Sequence, residues 1–349
     1  MQATLRVLPV LLLALAAAAA QAQYQQPPEP LLGVMRAPLP PVPQLDPTGT
    51  TLMIVQQGQY PSIARVAEPY LKLAGVRVEP RIHARHDMVS GYGIRTCLEG
   101  FSLVNVATGR ETPVALPPNA CPDWPLWSPD GRRFAFANTT DAGVELWLGK
   151  VEDGSTRRVD GVRINPILES ALQWLGARDA LLVKTVPENA GPAPQKAAVP
   201  PGPEIKDATE GGGESSTYEA RDTLSSPEDE TLFDYYASAQ LAVVDARSGA
   251  VRRVGEPAVL GEVRAAPDGR HVLVDVLTRP YSYVVTWQRF AHEVTVLDLD
   301  AGTSRTLATL PAAESVPVRG VPTGPRGFEW RANAPATLVY AEALDGGDW

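Results

Sequence analysis

The stretch Trp127-Ser128-Pro129-Asp130-Gly131-Arg132-Arg133-Phe134-Ala135-Phe136 is a tight turn followed at once by an apolar strand. Proline presets φ at one corner, aspartate bonds its own backbone, and glycine supplies a positive φ. The pattern returns in Ala266-Pro267-Asp268-Gly269-Arg270-His271-Val272-Leu273-Val274. A weaker copy is Asp46-Pro47-Thr48-Gly49-Thr50-Thr51-Leu52-Met53-Ile54-Val55. Two degenerate copies keep the tryptophan and the strand. They are Trp174-Leu175-Gly176 before Leu181-Leu182-Val183, and Trp330-Arg331-Ala332 before Leu338-Val339-Tyr340.

A second pattern interleaves with the first: an apolar strand, a turn ending in glycine, and a returning strand. It occupies Phe101–Leu116 through Thr108-Gly109, Val144–Val159 through Asp153-Gly154, Gln240–Val254 through Ser248-Gly249, and Val294–Leu310 through Ala301-Gly302. Each is a hairpin signature. Inner strand, then outer hairpin, repeated, describes the blades of a β-propeller. The expected fold is therefore all-β, with about five blades' worth of sequence. The turns fall near 47, 129, 176, 267 and 334. Most of these intervals exceed the ~40–50 residues of simple propeller repeats, so either insertions sit between some blades or some blade starts lack a recognisable turn. One insertion is visible at 187–230, rich in Pro, Gly and acids, and reads as either a mobile loop or a contact arm. A helix follows over Ser226–Ala239, with Ser226 as cap and Pro227 at the first helical position.

Composition agrees with a globular chain. The 349 residues include 34 Pro and 29 Gly, which turns absorb, and 44% are hydrophobic, enough for a sizeable core. The net charge is −9 with no basic cluster. Nucleic-acid binding is excluded on that ground, since phosphate neutralisation needs Lys/Arg patches.

The beginning of the chain reads as a leader. Arg6 precedes the apolar run Val7–Ala20, and Ala20-Gln21-Ala22 is a small-x-small cleavage signature. Residues 1–22 are expected to be a signal peptide cut after Ala22. The run is too short to span a bilayer comfortably. A periplasmic or secreted chain is expected, without a membrane partner after cleavage. Residues 23–45, rich in Pro and Gln, are expected to be an extended lead-in, because proline lacks a backbone donor. Residues 46–349 would form the partial propeller. In an oxidising compartment Cys97 and Cys121 are expected to pair.

The search for catalysis finds no Gly-x-Ser-x-Gly elbow and no glycine-rich phosphate loop. No catalytic residue, metal or cofactor is assigned. His83 and His86, with Asp87 beside them, lack a further Cys or His cluster and read as a solvated loop. Glu342, Asp345 and Asp348 read as a turn with exposed acids. The candidate substrate-binding residues are Arg279, Tyr281 and Arg289. An arginine at an inner-strand end can face a central channel and hold a carboxylate in fork geometry. The competing reading is an arginine that salt-bridges within its own blade.

Several segments resemble the N-terminal propeller of prolyl-oligopeptidase-like serine peptidases, in particular the glutamyl endopeptidase branch. They are Tyr60-Pro61-Ser62-Ile63-Ala64, Glu68-Pro69-Tyr70-Leu71-Lys72-Leu73-Ala74-Gly75, Leu232-Phe233-Asp234-Tyr235-Tyr236-Ala237-Ser238, Arg279-Pro280-Tyr281-Ser282, and the stretch from Trp330-Arg331-Ala332 to Asp348. The resemblance implies a seven-bladed propeller capping an α/β-hydrolase domain that carries a Ser-Asp-His triad and cleaves peptides after Glu. It implies peptide substrates and that hydrolase domain as partners. With about five blade starts before Trp349, the expectation is an incomplete propeller, without the hydrolase and inactive alone. The alternative is a stand-alone periplasmic propeller serving as a binding or scaffold module.

Overall fold

The computed structural model describes residues 26–88, 93–176, 178–195, 220–316 and 320–347. The signal-peptide segment lies outside the described residues. The chain divides into two units, Met1–Leu39 and Pro40–Trp349. In the first, helix α1 spans Glu29–Met35. The lead-in is therefore not extended throughout. Pro28 caps the helix and Pro30 sits in its first turn, where an absent N–H costs nothing.

The second unit is a succession of antiparallel blades. Blade 1 pairs β1 (Val42–Leu45), β2 (Thr51–Gln57), β6 (Leu98–Asn105) and β7 (Glu111–Pro113) in that order. Between β2 and β6 lie α2 (Ile63–Val66) and a small sheet of β3 (Leu71–Leu73), β4 (Val76–Glu79) and β5 (Ala84–Arg85). Blade 2 is β8 (Leu126–Trp127), β9 (Arg133–Thr140), β10 (Gly143–Lys150) and β11 (Thr156–Ile164). Blade 3 is β12 (Leu172–Trp174), β13 (Ala180–Thr185), β14 (Ser238–Asp245) and the first part of β15 (Val251–Ala265), with helix α3 (Pro227–Ala237) ahead of β14. The second part of β15 opens blade 4, followed by β16 (His271–Leu277), β17 (His292–Asp298) and β18 (Ser304–Leu310). A hairpin of β19 (Arg326–Trp330) and β20 (Leu338–Ala341) starts a fifth. Four complete blades and the opening hairpin of a fifth agree with the expected count of about five. Each Pro-Asp-Gly turn joins a blade's first strand to its second, so every blade begins one strand before its turn. The propeller accordingly begins at β1, ahead of residue 46.

One backbone bond closes each of the four turns. The N–H of Asp46, Ser128, Leu175 and Ala266 donates to the carbonyl of Thr51, Arg133, Ala180 and His271 at 2.9, 2.9, 2.9 and 2.7 Å. The outer hairpins repeat a second device. The N–H of Gly109, Gly249 and Gly302 donates to the carbonyl of Asn105, Asp245 and Asp298, each at 2.8 Å. The side chain of that Asn or Asp also accepts backbone N–H groups within the turn. This is the Asx chemistry that makes these residues turn formers.

Three apolar layers separate the blades. Met53, Val55 and Phe101 meet Phe134 and Phe136 between blades 1 and 2. Ala135, Leu146 and Ile164 meet Leu181 and Val183 between blades 2 and 3. Leu182 and Leu241 meet Val263, Val272 and Val274 between blades 3 and 4. A second strand is buried on both faces, so alternate residues serve alternate neighbours, and the sequence reads as a continuous apolar run. Gly149 is essential to this packing. A Cβ there would lie 2.0 Å from Cζ of Phe134.

Polar stitches repeat from blade to blade. The indole Nε1 of Trp174 donates to the Leu126 carbonyl at 3.0 Å, and that of Trp330 to the Arg264 carbonyl at 2.9 Å. These bonds tie successive innermost strands, which explains why the degenerate repeats keep their tryptophan. On the outer strands, Arg157 donates to the Arg247 carbonyl and Arg252 to the Leu299 carbonyl, each at 2.9 Å.

All three large insertions, 58–97, 186–237 and 278–291, join a blade's second strand to its third, on the same face. There they share a fourth core. Leu73, Val76 and Val78 pack with Leu232 and Phe233 of α3 and with Trp287 and Phe290. The Trp287 N–H donates to the Ala74 carbonyl at 2.9 Å. Gly75, at φ +89°, is the point of closest approach: a Cβ would sit 2.5 Å from Cγ2 of Thr286. The described end of the 187–230 insertion is a contact arm, since Leu224 joins this core and Asp222 pairs with Arg77 at 2.8 Å.

The histidine segment is buried, not a solvated loop. His83 and His86 are 2% and 1% exposed. The Nε2–H of His83 donates to the Tyr236 carbonyl at 2.9 Å, and burial lowers its pKa to about 4, so the ring stays neutral. His86 Nδ1 bonds Glu79 at 2.9 Å, and Asp87 pairs with buried Arg85 at 3.2 Å. His83 packs against Tyr236 of α3, a non-local contact that local polarity does not reveal, and His86 stacks on Tyr70 of its own insertion. Glu342 and Asp345 are exposed, as expected, and Asp348 lies outside the described residues. Cys97 and Cys121 form a disulfide with Cα atoms 4.6 Å apart. It joins the end of the first insertion to the segment ahead of β8. Among the described residues no helix is long and apolar enough to cross a membrane.

Candidate functional site

Blade 4 presents one face to blade 3 and the other to β19. On β16 the split follows the strand period: Val272 and Val274 join the blade 3 layer, while Leu273 and Asp275 turn the other way. They line a cavity of about 430 Å³. Its walls are mixed. Leu273, Phe290, Val294, Leu310 and Phe328 supply apolar surface, while Glu262, Arg264, Arg289 and Arg326 supply charge. A smaller chamber of about 210 Å³ shares Glu262, Asp275, Gln288 and His292 with the first and adds Glu169 and Trp287.

The polar groups of this cleft have physical constraints. Asp275 and His292 are diagonal neighbours across β16 and β17, because Asp275 pairs with Val294 and Leu277 with His292. Burial pushes the Asp275 carboxyl up, against the pull of His292. The Nδ1–H of His292 donates to the Phe290 carbonyl at 3.0 Å. Arg264 pairs with Glu262 and donates to the Phe328 carbonyl at 2.9 Å. Nη1 of Arg326 is buried with no hydrogen-bond partner among the described residues, and so is Nε1 of Trp287. Trp287 is 5% exposed.

Of the three sequence-derived binding candidates, only Arg289 lines the cleft. Arg279 and Tyr281, in the 278–291 insertion, pack together against α3. Arg279 pairs with Asp234 at 2.5 Å and also with Glu230, and its guanidinium lies 5.0 Å from the Tyr281 ring centroid. The Tyr281 hydroxyl donates to Asp234 at 2.5 Å. Burial, reinforced by that bond, keeps the hydroxyl protonated far beyond the usual tyrosine range. The two groups are linked by ring contact. Tyr281 stacks on Phe290 at 5.1 Å, and Phe290 is a cleft wall.

Sequence reasoning missed Asp275, His292, Glu169 and Arg326. One signal was present: Asp275 interrupts the apolar run His271–Leu277 at a position where a strand buried on both faces expects an apolar residue. Among the described residues no group of three or more His, Cys, Asp or Glu is placed to hold a metal ion.

No family model matches the chain. Two curated proteins do match it along nearly its whole length. A probable chloroplastic glutamyl endopeptidase of Oryza sativa subsp. japonica is 32% identical over 339 residues, covering 93% of this chain and 35% of the relative. Its counterpart in Arabidopsis thaliana is 33% identical over 338 residues, covering 93% and 34%. The chain thus spans about a third of the length of these relatives. Among solved structures, the β-propeller domain of the trilobed protease from Pyrococcus furiosus matches with TM-score 0.38 and 12% identity, covering 78% of this chain and 58% of that one. The Pyrococcus horikoshii acylaminoacyl peptidase matches with TM-score 0.39 and 12% identity, covering 77% and 32%. By sequence the chain is thus related to probable glutamyl endopeptidases along 93% of its length, and its described residues fold as a succession of propeller blades.

Proposed function

We propose that this chain is the propeller region of an exported serine peptidase that cleaves peptides after Glu, and that it admits and selects peptides for an α/β-hydrolase domain. Arg279, Tyr281 and Arg289 are assigned to substrate selection, Arg289 directly from the cleft wall. Hydrolysis belongs to the hydrolase domain. The observation that carries this reading is the kinship, across 93% of the chain, with two probable glutamyl endopeptidases. The alternative, a stand-alone binding module, calls for a closed ring. Among the described residues the sheets stay open, with four blades and a hairpin, and open sheet edges invite aggregation.

The test compares the chain alone with the chain fused to the part of the Arabidopsis thaliana relative that it does not match. A fluorogenic peptide with a single Glu is the substrate, and its Gln counterpart the control. The chain alone should give no turnover, and the fusion should cleave after Glu. Turnover by the chain alone, or a folded fusion that treats Glu and Gln equally, would overturn the proposal.

A further inference from the structure

Successive blades are tied along their innermost strands by side chains at two fixed places. The first place stands one residue before the N–H that closes the turn. There Trp174 and Trp330 reach back to the preceding blade. The second place stands two residues before that N–H. There Gln173 of blade 3 reaches forward: its Nε2 donates to the Val263 carbonyl and its Oε1 accepts from the Ala265 N–H, each at 2.8 Å. The seam between blades 1 and 2 has both residue types in place, Gln44 on β1 and Trp127 on β8. Neither stitch is made. Oε1 of Gln44 and Nε1 of Trp127 are buried with no hydrogen-bond partner among the described residues. Buried polar atoms left unsatisfied weaken the contact that holds them.

The innermost strand of blade 2 is held to blade 1 at its other end. Residues ahead of β8 extend that strand along β9: the Asp123 N–H donates to the Ala137 carbonyl at 2.8 Å, and the Thr139 N–H to the Cys121 carbonyl at 3.0 Å. Cys121 is bonded to Cys97, which immediately precedes β6 of blade 1. Beside the bridge, the Leu98 N–H donates to the Pro122 carbonyl at 3.1 Å, and Arg95 pairs with Asp123 at 3.2 Å. That ion pair is screened, since Asp123 is 45% exposed. A covalent tie thus stands at the seam whose side-chain stitches are missing. It is also accessible: Cys97 is exposed and Cys121 half-buried. Exposed disulfides are the labile ones, open to attack by a thiolate.

We propose that the Cys97–Cys121 bridge is a thiol–disulfide exchange site for a dithiol reductant, and that the exchange switches the hold of blade 1 on the innermost strand of blade 2. A thiolate of the reductant attacks Sγ of Cys97, the more exposed partner. The S–S bond breaks, and its electron pair leaves on Sγ of Cys121 as a thiolate. The reductant's second thiolate then attacks the reductant's own sulfur in the mixed disulfide, closes a disulfide there and releases the Cys97 thiolate. The bridge has gained two electrons and the reductant has lost two. With the bridge open, residues 121–127 keep their bonds to β9 but lose the covalent tie to blade 1, and Gln44 and Trp127 supply no stitch in its place. The apolar layer of Met53, Phe101, Phe134 and Phe136 still joins the two blades. Reduction therefore loosens one strand and preserves the fold. The inference concerns the bridge alone and does not rest on the peptidase reading.

The test uses the full chain, folded and without denaturant, with dithiothreitol as the dithiol. Labelling with a maleimide-linked polyethylene glycol should show both thiols free after millimolar dithiothreitol, while the far-ultraviolet circular dichroism stays unchanged. Amide exchange at 95–98 and 121–127 should rise about tenfold on reduction, with β13, β14 and β16 as they were. The double variant Cys97→Ser, Cys121→Ser should exchange like the reduced chain and ignore dithiothreitol. A thioredoxin stripped of its second cysteine should be trapped on Cys97, as read by peptide mass mapping. A bridge reduced only in denaturant, a mixed disulfide on Cys121, unchanged exchange at 121–127, or loss of the circular dichroism signal on reduction would each overturn the proposal. None of these readouts depends on turnover in the fusion assay, so either reading can fail without the other.

Discussion

Lys184 and Asp275 hold the same place in successive blades. Each stands four residues past the residue whose carbonyl closes the turn, Ala180 for Lys184 and His271 for Asp275. The same place in blades 1 and 2 is taken by Val55 and Ala137. At this position the side chain faces the following blade. Val55 joins an apolar layer there, and Lys184 finds the Gly261 carbonyl instead. Asp275 opens onto the cleft. A repeated scaffold has thus exchanged packing for charge at one register position.

Stability should respond to Lys184 in a defined direction. Burial lowers its pKa from 10.5 to about 7. Below pH 7 the lysine is protonated in both folded and unfolded chains, and the folded state carries the full cost of a buried charge. Between pH 7 and 10.5 the unfolded chain binds more protons, so the lysine's contribution to stability rises with pH. Lys184→Met should lack that rise. Urea midpoints at pH 6, 7.5 and 9 should show wild type gaining on the variant by roughly one to a few kcal/mol across the series. Parallel profiles would contradict the assignment.

Gly149→Ala should be strongly destabilising although it adds one methyl. The new Cβ would lie 2.0 Å from the Phe134 ring, between Phe134 and the strand behind it. Overpacking of this kind costs about 1–3 kcal/mol. Phe134→Leu in the same background should recover part of the loss. A midpoint unchanged by Gly149→Ala would show that the layer between blades 1 and 2 yields more easily than its geometry implies.

Arg279 and Phe290 offer a contrast within one insertion. Arg279 is half exposed, so its ion pairs with Glu230 and Asp234 are screened, and Arg279→Ala should cost about 1 kcal/mol or less. Phe290 is 1% exposed in the shared core, and Phe290→Ala should cost about 3–5 kcal/mol. Thermal midpoints of the two variants, measured side by side, check the order.

The disulfide should contribute through the unfolded chain. Cys97 and Cys121 are 24 residues apart, a loop whose closure amounts to about 3 kcal/mol in the chain-entropy model. The double variant Cys97→Ser, Cys121→Ser should lose about that much. Amide exchange should rise chiefly near these two positions, since Leu98 N–H donates to the Pro122 carbonyl and Thr139 N–H to the Cys121 carbonyl. A variant as stable as wild type would assign the bridge no role in folding stability.

The blades were legible because their signals are local. Pro129-Asp130-Gly131 and Pro267-Asp268-Gly269 encode a turn within a few residues, and Ser248-Gly249 or Ala301-Gly302 a hairpin within a few more. The helix after Ser226 was legible for the same reason, through its cap and Pro227. What escaped was contact between distant segments. His83 looks like a loop residue until the Tyr235 and Tyr236 rings of α3 pack against it. The cleft draws Glu169, Asp275, Arg289 and Arg326 from four separate segments, and no spacing rule joins these. Arg279 was visible as a candidate, but its partners Glu230 and Asp234 lie on a helix some fifty residues earlier, so its pairing could not be read.

Repeat architectures gain and lose units in evolution because each unit leans only on its neighbours. This protein has given up that freedom. The first blade's insertion reaches past blade 2, whose own second and third strands are joined by Asp141 and Ala142 alone, and packs against the insertions of blades 3 and 4. Excising blade 2 at its strand boundaries would leave every remaining blade intact and still draw Val76 and Val78 out of register with Phe233 and Trp287. Blade number is therefore locked, and swaps with a related propeller must carry all three insertions together.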